Sequence, residues 1–112
     1  MMKFYRVDGQ VVLSEKVLAG EEVVANTTDG AYEKHVPVIE QQGDHVIVRV
    51  GSVEHPMLEA HYIEWIVLET ATGYQKHDLK PGEKPVASFA VTEPVIAAYE
   101  YCNLHGLWKA EA

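Results

Sequence analysis

The chain has a single cysteine, Cys102, so no disulfide can form within it and its fold cannot depend on covalent staples. It also lacks long apolar runs: none approaches the ~20 residues needed to cross a bilayer as a helix, which argues against a membrane protein. Positive charge is scarce, with 9 Lys+Arg against 17 Asp+Glu and a formal net charge of −8. That balance opposes the counterion-release binding by which nucleic acids are held, so no nucleic-acid partner is expected. No apolar stripe of helical period extends over three turns, and there is no internal repeat or low-complexity linker. The start, "MMKFYRVDGQVV", has neither the apolar core nor the small-residue cleavage site of a secretory signal. With one thiol and no such signal, a reducing cytoplasm is the expected location.

What is present suits a globular domain. The 112 residues are 47% hydrophobic and 23% charged, enough to bury a core without the composition of a disordered chain. From residue 36 onward the hydrophobic pattern has period two. In "HVIVRV", Val46, Val48 and Val50 share one face, and the preceding "QQGD" reads as a hairpin connection. In "HYIEWIVLET", Tyr62, Glu64, Ile66 and Leu68 alternate with Ile63, Trp65 and Val67, a strand apolar enough to lie centrally in a sheet. "ATG" marks the next turn, and "KPGEKP" places Pro81 and Gly82 as a type II turn requires. "VASFAV" and "VIAAYEY" follow as further strands. Short strands between turns at this spacing predict an all-β sandwich or barrel, with about six or seven strands in the main body. Residues 1–30 are less regular, with two β-like pieces, "KFYRV" and "QVVL", that predict a hairpin or arm.

The chemistry concentrates in histidines and the one thiol. Cys102 and His105 form C-x-x-H, a spacing that lets a tight turn present both to one metal ion. Taken alone this is weak, because an isolated cysteine is commonly a small buried hydrophobe. Six histidines stand at 35, 45, 55, 61, 77 and 105. His35 lies two residues before a proline, His55 directly before Pro56, and His61 where the same loop enters the Trp65 strand. His45 and His77 sit near turns among polar neighbours and read as surface residues. Were His35, His55, His61, Cys102 and His105 to converge, they would offer four imidazoles and one thiolate. Structural zinc closes with four ligands, so a fifth points to a transition metal with an open position and to redox chemistry. Iron, copper, nickel and zinc all accept imidazole.

The segments "EKHVPVIE", "EHPMLEAHYIEWI", "LKPGEKPVASF" and "YCNLHGLWKAE" closely resemble the iron superoxide reductases, the desulfoferrodoxin and neelaredoxin group, from about Asn26 to the C-terminus. The resemblance implies an immunoglobulin-like β-sandwich of about seven strands and one mononuclear iron per chain. His35, His55, His61 and His105 would be its equatorial ligands and Cys102 its axial thiolate. The activity implied is one-electron reduction of superoxide to hydrogen peroxide. Lys34 would draw in the anion and help to orient a water that supplies a proton, and Glu33 would serve as a sixth donor to resting ferric iron. An acidic chain needs such a local cation to gather an anion. Two-centre members open with a cysteine-rich rubredoxin-like module. Here Val7 stands where its first cysteine would fall, so residues 1–25 are expected to be a metal-free remnant and residues 26–112 the iron-binding domain. The electron would then come directly from a small donor protein such as rubredoxin, and a dimer or tetramer is implied.

Each ligand imidazole needs an acceptor for its other ring nitrogen, and Glu54 or a backbone carbonyl of "HPMLEAH" could serve. Tyr62, Trp65 and Trp108 fit either packing around the site or a place in the core. Two other readings of the whole chain compete: a non-catalytic metal-binding or interaction sandwich, and superoxide dismutation without an external reductant.

Overall fold

The computed structural model describes residues 2–27, 35–51 and 55–112. Glu33, Lys34 and Glu54 therefore lie outside the described residues. Every regular element among those described is a strand: β1 (Lys3–Val7), β2 (Gln10–Ser14), β3 (Glu21–Val23), β4 (Pro37–Gln42), β5 (His45–Val50), β6 (Ile63–Thr70), β7 (Gly73–Asp78), β8 (Val86–Ala90), β9 (Val95–Cys102) and β10 (Gly106–Glu111).

The main body is a sandwich of two antiparallel sheets, one ordered β10-β9-β6-β7 and the other β4-β5-β8. Four strands facing three is an immunoglobulin-like arrangement. The alternation read from "HVIVRV" holds: Val46, Val48 and Val50 are buried between the sheets. There they meet Ile66 and Leu68 of β6, Ala87 and Phe89 of β8, and Ala98 and Cys102 of β9. Central placement of β6 is explained by its composition, since all but two of its eight residues are buried.

β6 is buried on both faces because a third sheet, ordered β2-β1-β3, covers the outer side of the four-stranded one. Phe4 and Val11 of this N-terminal sheet pack on Trp65, Val67, Ala97, Tyr99 and Leu107. Phe4 stacks on Trp65 with ring centroids 5.9 Å apart and lies tilted against Tyr99 at 4.8 Å. The expected arm is thus a three-stranded sheet with a core of its own. Its first hairpin turns on Asp8 and Gly9, both at positive φ (50° and 77°), the D-G pair that a two-residue type I′ turn demands.

The strict alternation read along "HYIEWIVLET" breaks at one point. β6 pairs with β9 through Ile63↔Cys102 and then Trp65↔Tyr101, which leaves Glu64 as a bulge. The bulge reverses side-chain parity upstream of Trp65, so Ile63 joins the inner core with Ile66 and Leu68 rather than the outer one with Trp65 and Val67. Five chain segments meet at that end of the sandwich: the start of β4, the loop after β5, the start of β6, the end of β9 and the start of β10.

Ile66 is fully buried between the two sheets. We expect Ile66→Ala to lower folding stability by about 2–5 kcal/mol through lost transfer energy and an incompletely filled cavity. Urea unfolding of the metal-free chain checks this; a change below about 1 kcal/mol would mean that the inter-sheet core is not packed as described.

Candidate metal centre

Local backbone rules place each donor. His35 precedes β4, and the buried Pro37 opens that strand against Val50. His55 follows β5, directly before Pro56, which holds it extended. His61 leads into β6, where Leu58 and His61 exchange both backbone hydrogen bonds (2.9 and 3.0 Å) and fold the intervening residues into a tight loop. Cys102 ends β9, and Asn103–His105 form a three-residue hairpin loop. Gly106 closes that loop at φ 87°, the left-handed residue that follows a three-residue hairpin turn. The loop carries Cys102 and His105 to the same side, with Sγ 3.8 Å from His105 Nδ1.

The five expected donors converge. One ligand atom from each of His35, His55, His61, Cys102 and His105 lies within 4.8 Å of every other. Two donors on opposite sides of an ion bound at ~2.0–2.3 Å stand about 4–4.6 Å apart, so the cluster has the size of one coordination sphere. The four rings form a closed square: His35–His55 4.8 Å, His55–His61 4.8 Å, His61–His105 5.0 Å and His105–His35 4.7 Å between centroids, each pair edge to face. His35 Nε2 and His105 Nδ1 are 3.0 Å apart, which is the spacing of neighbouring donors at right angles on one ion. Cys102 is fully buried in the inner core while His105 is exposed, so the sulfur approaches the imidazole square from the protein side.

His55 shows how the donors are prepared. Its Nδ1–H donates to the Pro56 carbonyl at 2.7 Å, so the lone pair resides on Nε2. That Nε2 is buried with no hydrogen-bond partner among the described residues. An orphaned buried acceptor costs about 1–3 kcal/mol, and a metal ion would relieve that cost. Burial, together with the three neighbouring imidazoles, lowers the His55 pKa to about 4, and at neutral pH the ring is the uncharged ligand form. Burial likewise pushes the Cys102 thiol up, against opposing backbone hydrogen bonds from Leu104 and His105. In the metal-free chain the sulfur is a thiol whose proton an incoming cation must displace. A set of four nitrogens and one soft anionic sulfur fits a transition metal such as iron.

Trp108 braces two donors at once. Its ring stacks on His35 at 4.8 Å and 17°, and its Nε1 donates to the His105 carbonyl at 3.1 Å. Trp65, by contrast, is not at the centre: it stacks between Phe4 and Tyr101 on the outer face of the sheet. His45 and His77 are exposed, and His45 pairs with Asp44. The acceptor for His55 is a backbone carbonyl of the "HPMLEAH" loop. Sequence reasoning did not find Asn103. It bonds the backbone on both sides of His61, and its signal was its place in C-N-x-H-G beside Cys102, which carried no role for it.

The desulfoferrodoxin family model matches residues 27–111. A desulfoferrodoxin of Nitratidesulfovibrio vulgaris is 56% identical over 86 residues, which span 77% of this chain and 68% of that protein. A desulfoferrodoxin homolog of Archaeoglobus fulgidus is 48% identical over 102 residues, 91% of this chain and 80% of that one. Among solved structures, the superoxide reductase from Treponema pallidum superposes with a TM-score of 0.86 at 37% identity, covering 99% of this chain and 98% of its own. The chain belongs to the desulfoferrodoxin family.

Proposed function

We propose that His35, His55, His61, His105 and Cys102 together hold the iron of this chain. The observation that carries the reading is the closed square of four imidazoles with one buried sulfur to one side of it. The protein is a superoxide reductase with a mononuclear iron. Iron, when bound, supplies the single electron that superoxide accepts as two protons convert it to hydrogen peroxide.

The chain's own residues do the rest. With iron bound, the imidazoles would bring it no negative charge, and the Cys102 thiolate would supply one from inside the core, where solvent does not screen it. The exposed His105 marks the solvent-facing side of the imidazole square, from which superoxide would reach the centre. Lys34, adjacent in sequence to His35, provides the local cation that a chain of net charge −8 needs to gather an anion. It also helps to orient the water that gives up a proton. Glu33 offers a carboxylate as a sixth donor to the oxidised centre.

The electron comes from a small donor protein such as rubredoxin. Leu58 and Leu104, 66% and 60% exposed and close in sequence to His61 and His105, support apolar docking beside the centre. Residues 1–25 form a metal-free remnant of a rubredoxin-like module and residues 26–112 the iron-binding domain, in keeping with a chain whose only cysteine is Cys102. The exposed Val17 and Val24 offer contact area for a dimer or tetramer. Among the described residues no helix is long and apolar enough to cross a membrane, and a lone free thiol suits a cytoplasmic location.

Three outcomes test this reading. The iron-loaded chain should consume one external electron per superoxide, measured as reductant oxidised against peroxide formed; turnover without reductant would indicate dismutation instead. Cys102→Ser should abolish the visible thiolate-to-iron absorption of the oxidised protein and slow superoxide reduction by at least tenfold. An unchanged spectrum would exclude Cys102 as a ligand. Lys34→Ala should slow the reaction with superoxide by about tenfold or more and flatten its ionic-strength dependence, and a salt response equal to that of the native chain would rule out steering by this residue.

A further inference from the structure

The polypeptide around His61 is held in a way that the metal does not explain. The peptide group before His61 has its N–H on the Leu58 carbonyl (3.0 Å), and its carbonyl, that of Ala60, accepts from Asn103 Nδ2 (3.1 Å). The peptide group after His61 has its carbonyl accepting from Leu58 N (2.9 Å), and its N–H, that of Tyr62, donates to Asn103 Oδ1 (3.0 Å). All four polar atoms of the two peptides that flank the His61 Cα are thus committed, two of them to a single side chain. A third bond, from Asn103 N to the Tyr62 carbonyl at 3.2 Å, continues the β6–β9 pairing past Cys102.

An amide carries one acceptor and donors at the spacing of a peptide group, so the Asn103 side chain acts as an added rung of the ladder where the strand itself has ended. The rung lies just past the last β6–β9 pair. Beyond Ile63↔Cys102 the regular ladder bonds stop, two residues short of His61, because β9 ends at Cys102. Asn103 replaces them, and because it is adjacent to Cys102 it ties the His61 backbone to the residue that carries the sulfur.

We propose that Asn103 is a positioning residue that fixes His61 relative to Cys102 before any metal arrives, so that the centre is preorganised rather than assembled by the ion. This rests on the assignment of His61 and Cys102 as iron ligands. With a rigid preformed pair, one imidazole cannot swing away while the sulfur stays bound, and the ion is retained. Freed from Asn103, the loop segment 58–61 loses its side-chain tie to the Cys102 hairpin while its internal Leu58–His61 bonds remain, and His61 becomes the donor most easily lost.

The test compares Asn103→Ala and the nearly isosteric Asn103→Asp with Gln75→Ala, which removes a similar side-chain-to-backbone bond (Gln75 Nε2 to the Ala90 carbonyl, 2.9 Å) away from the centre. The aspartate variant would keep the acceptor for Tyr62 N but set a carboxylate oxygen against the Ala60 carbonyl. In the metal-free chain, Tyr62 amide exchange should quicken at least tenfold in Asn103→Ala and not in Gln75→Ala. In the iron-loaded chain, both Asn103 variants should release iron to a chelator at least tenfold faster than native protein and alter the rhombic splitting of the ferric electron paramagnetic resonance signal, while Gln75→Ala does neither. Native-like exchange, release and signal in the Asn103 variants would overturn the proposal. Equal acceleration in Gln75→Ala would also overturn it, by showing a general loss of stability. If the native chain takes up no iron, the ligand assignment itself fails, and Tyr62 exchange in the metal-free chain still decides whether Asn103 holds the His61 segment.

Discussion

The arrangement depends on bringing five electron-pair donors from three separated stretches of chain to one point. Four are imidazoles, of which His55 is held uncharged by its burial, and the fifth is a thiol until a cation displaces its proton. In these forms His55 and Cys102, both buried, escape the several kcal/mol that a buried uncompensated charge costs the metal-free sandwich. What it cannot avoid is orphaned lone pairs, of which His55 Nε2 is the clearest. The site is stable in isolation only because packing elsewhere exceeds that modest cost.

That packing is divided between the two faces of one sheet. Val46, Val48, Val50, Ile66 and Leu68 fill the space between the sandwich sheets, while Phe4, Trp65, Val67 and Tyr99 fill the space under the N-terminal sheet. Cys102 belongs to the first of these clusters, which places the sulfur in a dry and rigid setting. The histidines instead sit on loops at the open end of the sandwich, where their backbone is positioned by hydrogen bonds and by Trp108 rather than by core packing. Rigidity on the sulfur side and access on the imidazole side are therefore consequences of where the strands end.

Much of this was legible because it is local. Alternation in "HVIVRV" specifies a face without reference to the rest of the chain, and the positions of Pro37 and Pro56 near His35 and His55 restrict the backbone wherever they occur. The spacing within C-N-x-H-G encodes a hairpin loop with its left-handed glycine. The illegible parts depend on distant partners. The strand Glu21–Val23 is too short and too exposed to show any periodicity and exists because β1 offers it an edge. The bulge at Glu64 leaves the sequence pattern unbroken but reverses it in space, and it is fixed by the register with β9. The role of Asn103 was hidden for the same reason, since its side chain bonds residues 41 and 43 positions away. Trp108 fits the core and the surroundings of the site equally well in the sequence, and only the stacking of His35, 73 positions earlier in the chain, decides between them.

Joint binding of one ion by these five side chains, the sulfur among them, underlies the proposed activity. X-ray absorption at the iron edge of the loaded chain, with iron counted against protein, tests it most directly. The loaded chain should hold one iron with four imidazole nitrogens and a single sulfur in its coordination shell. A shell of nitrogen and oxygen alone, or iron bound without the imidazole signature, would contradict it.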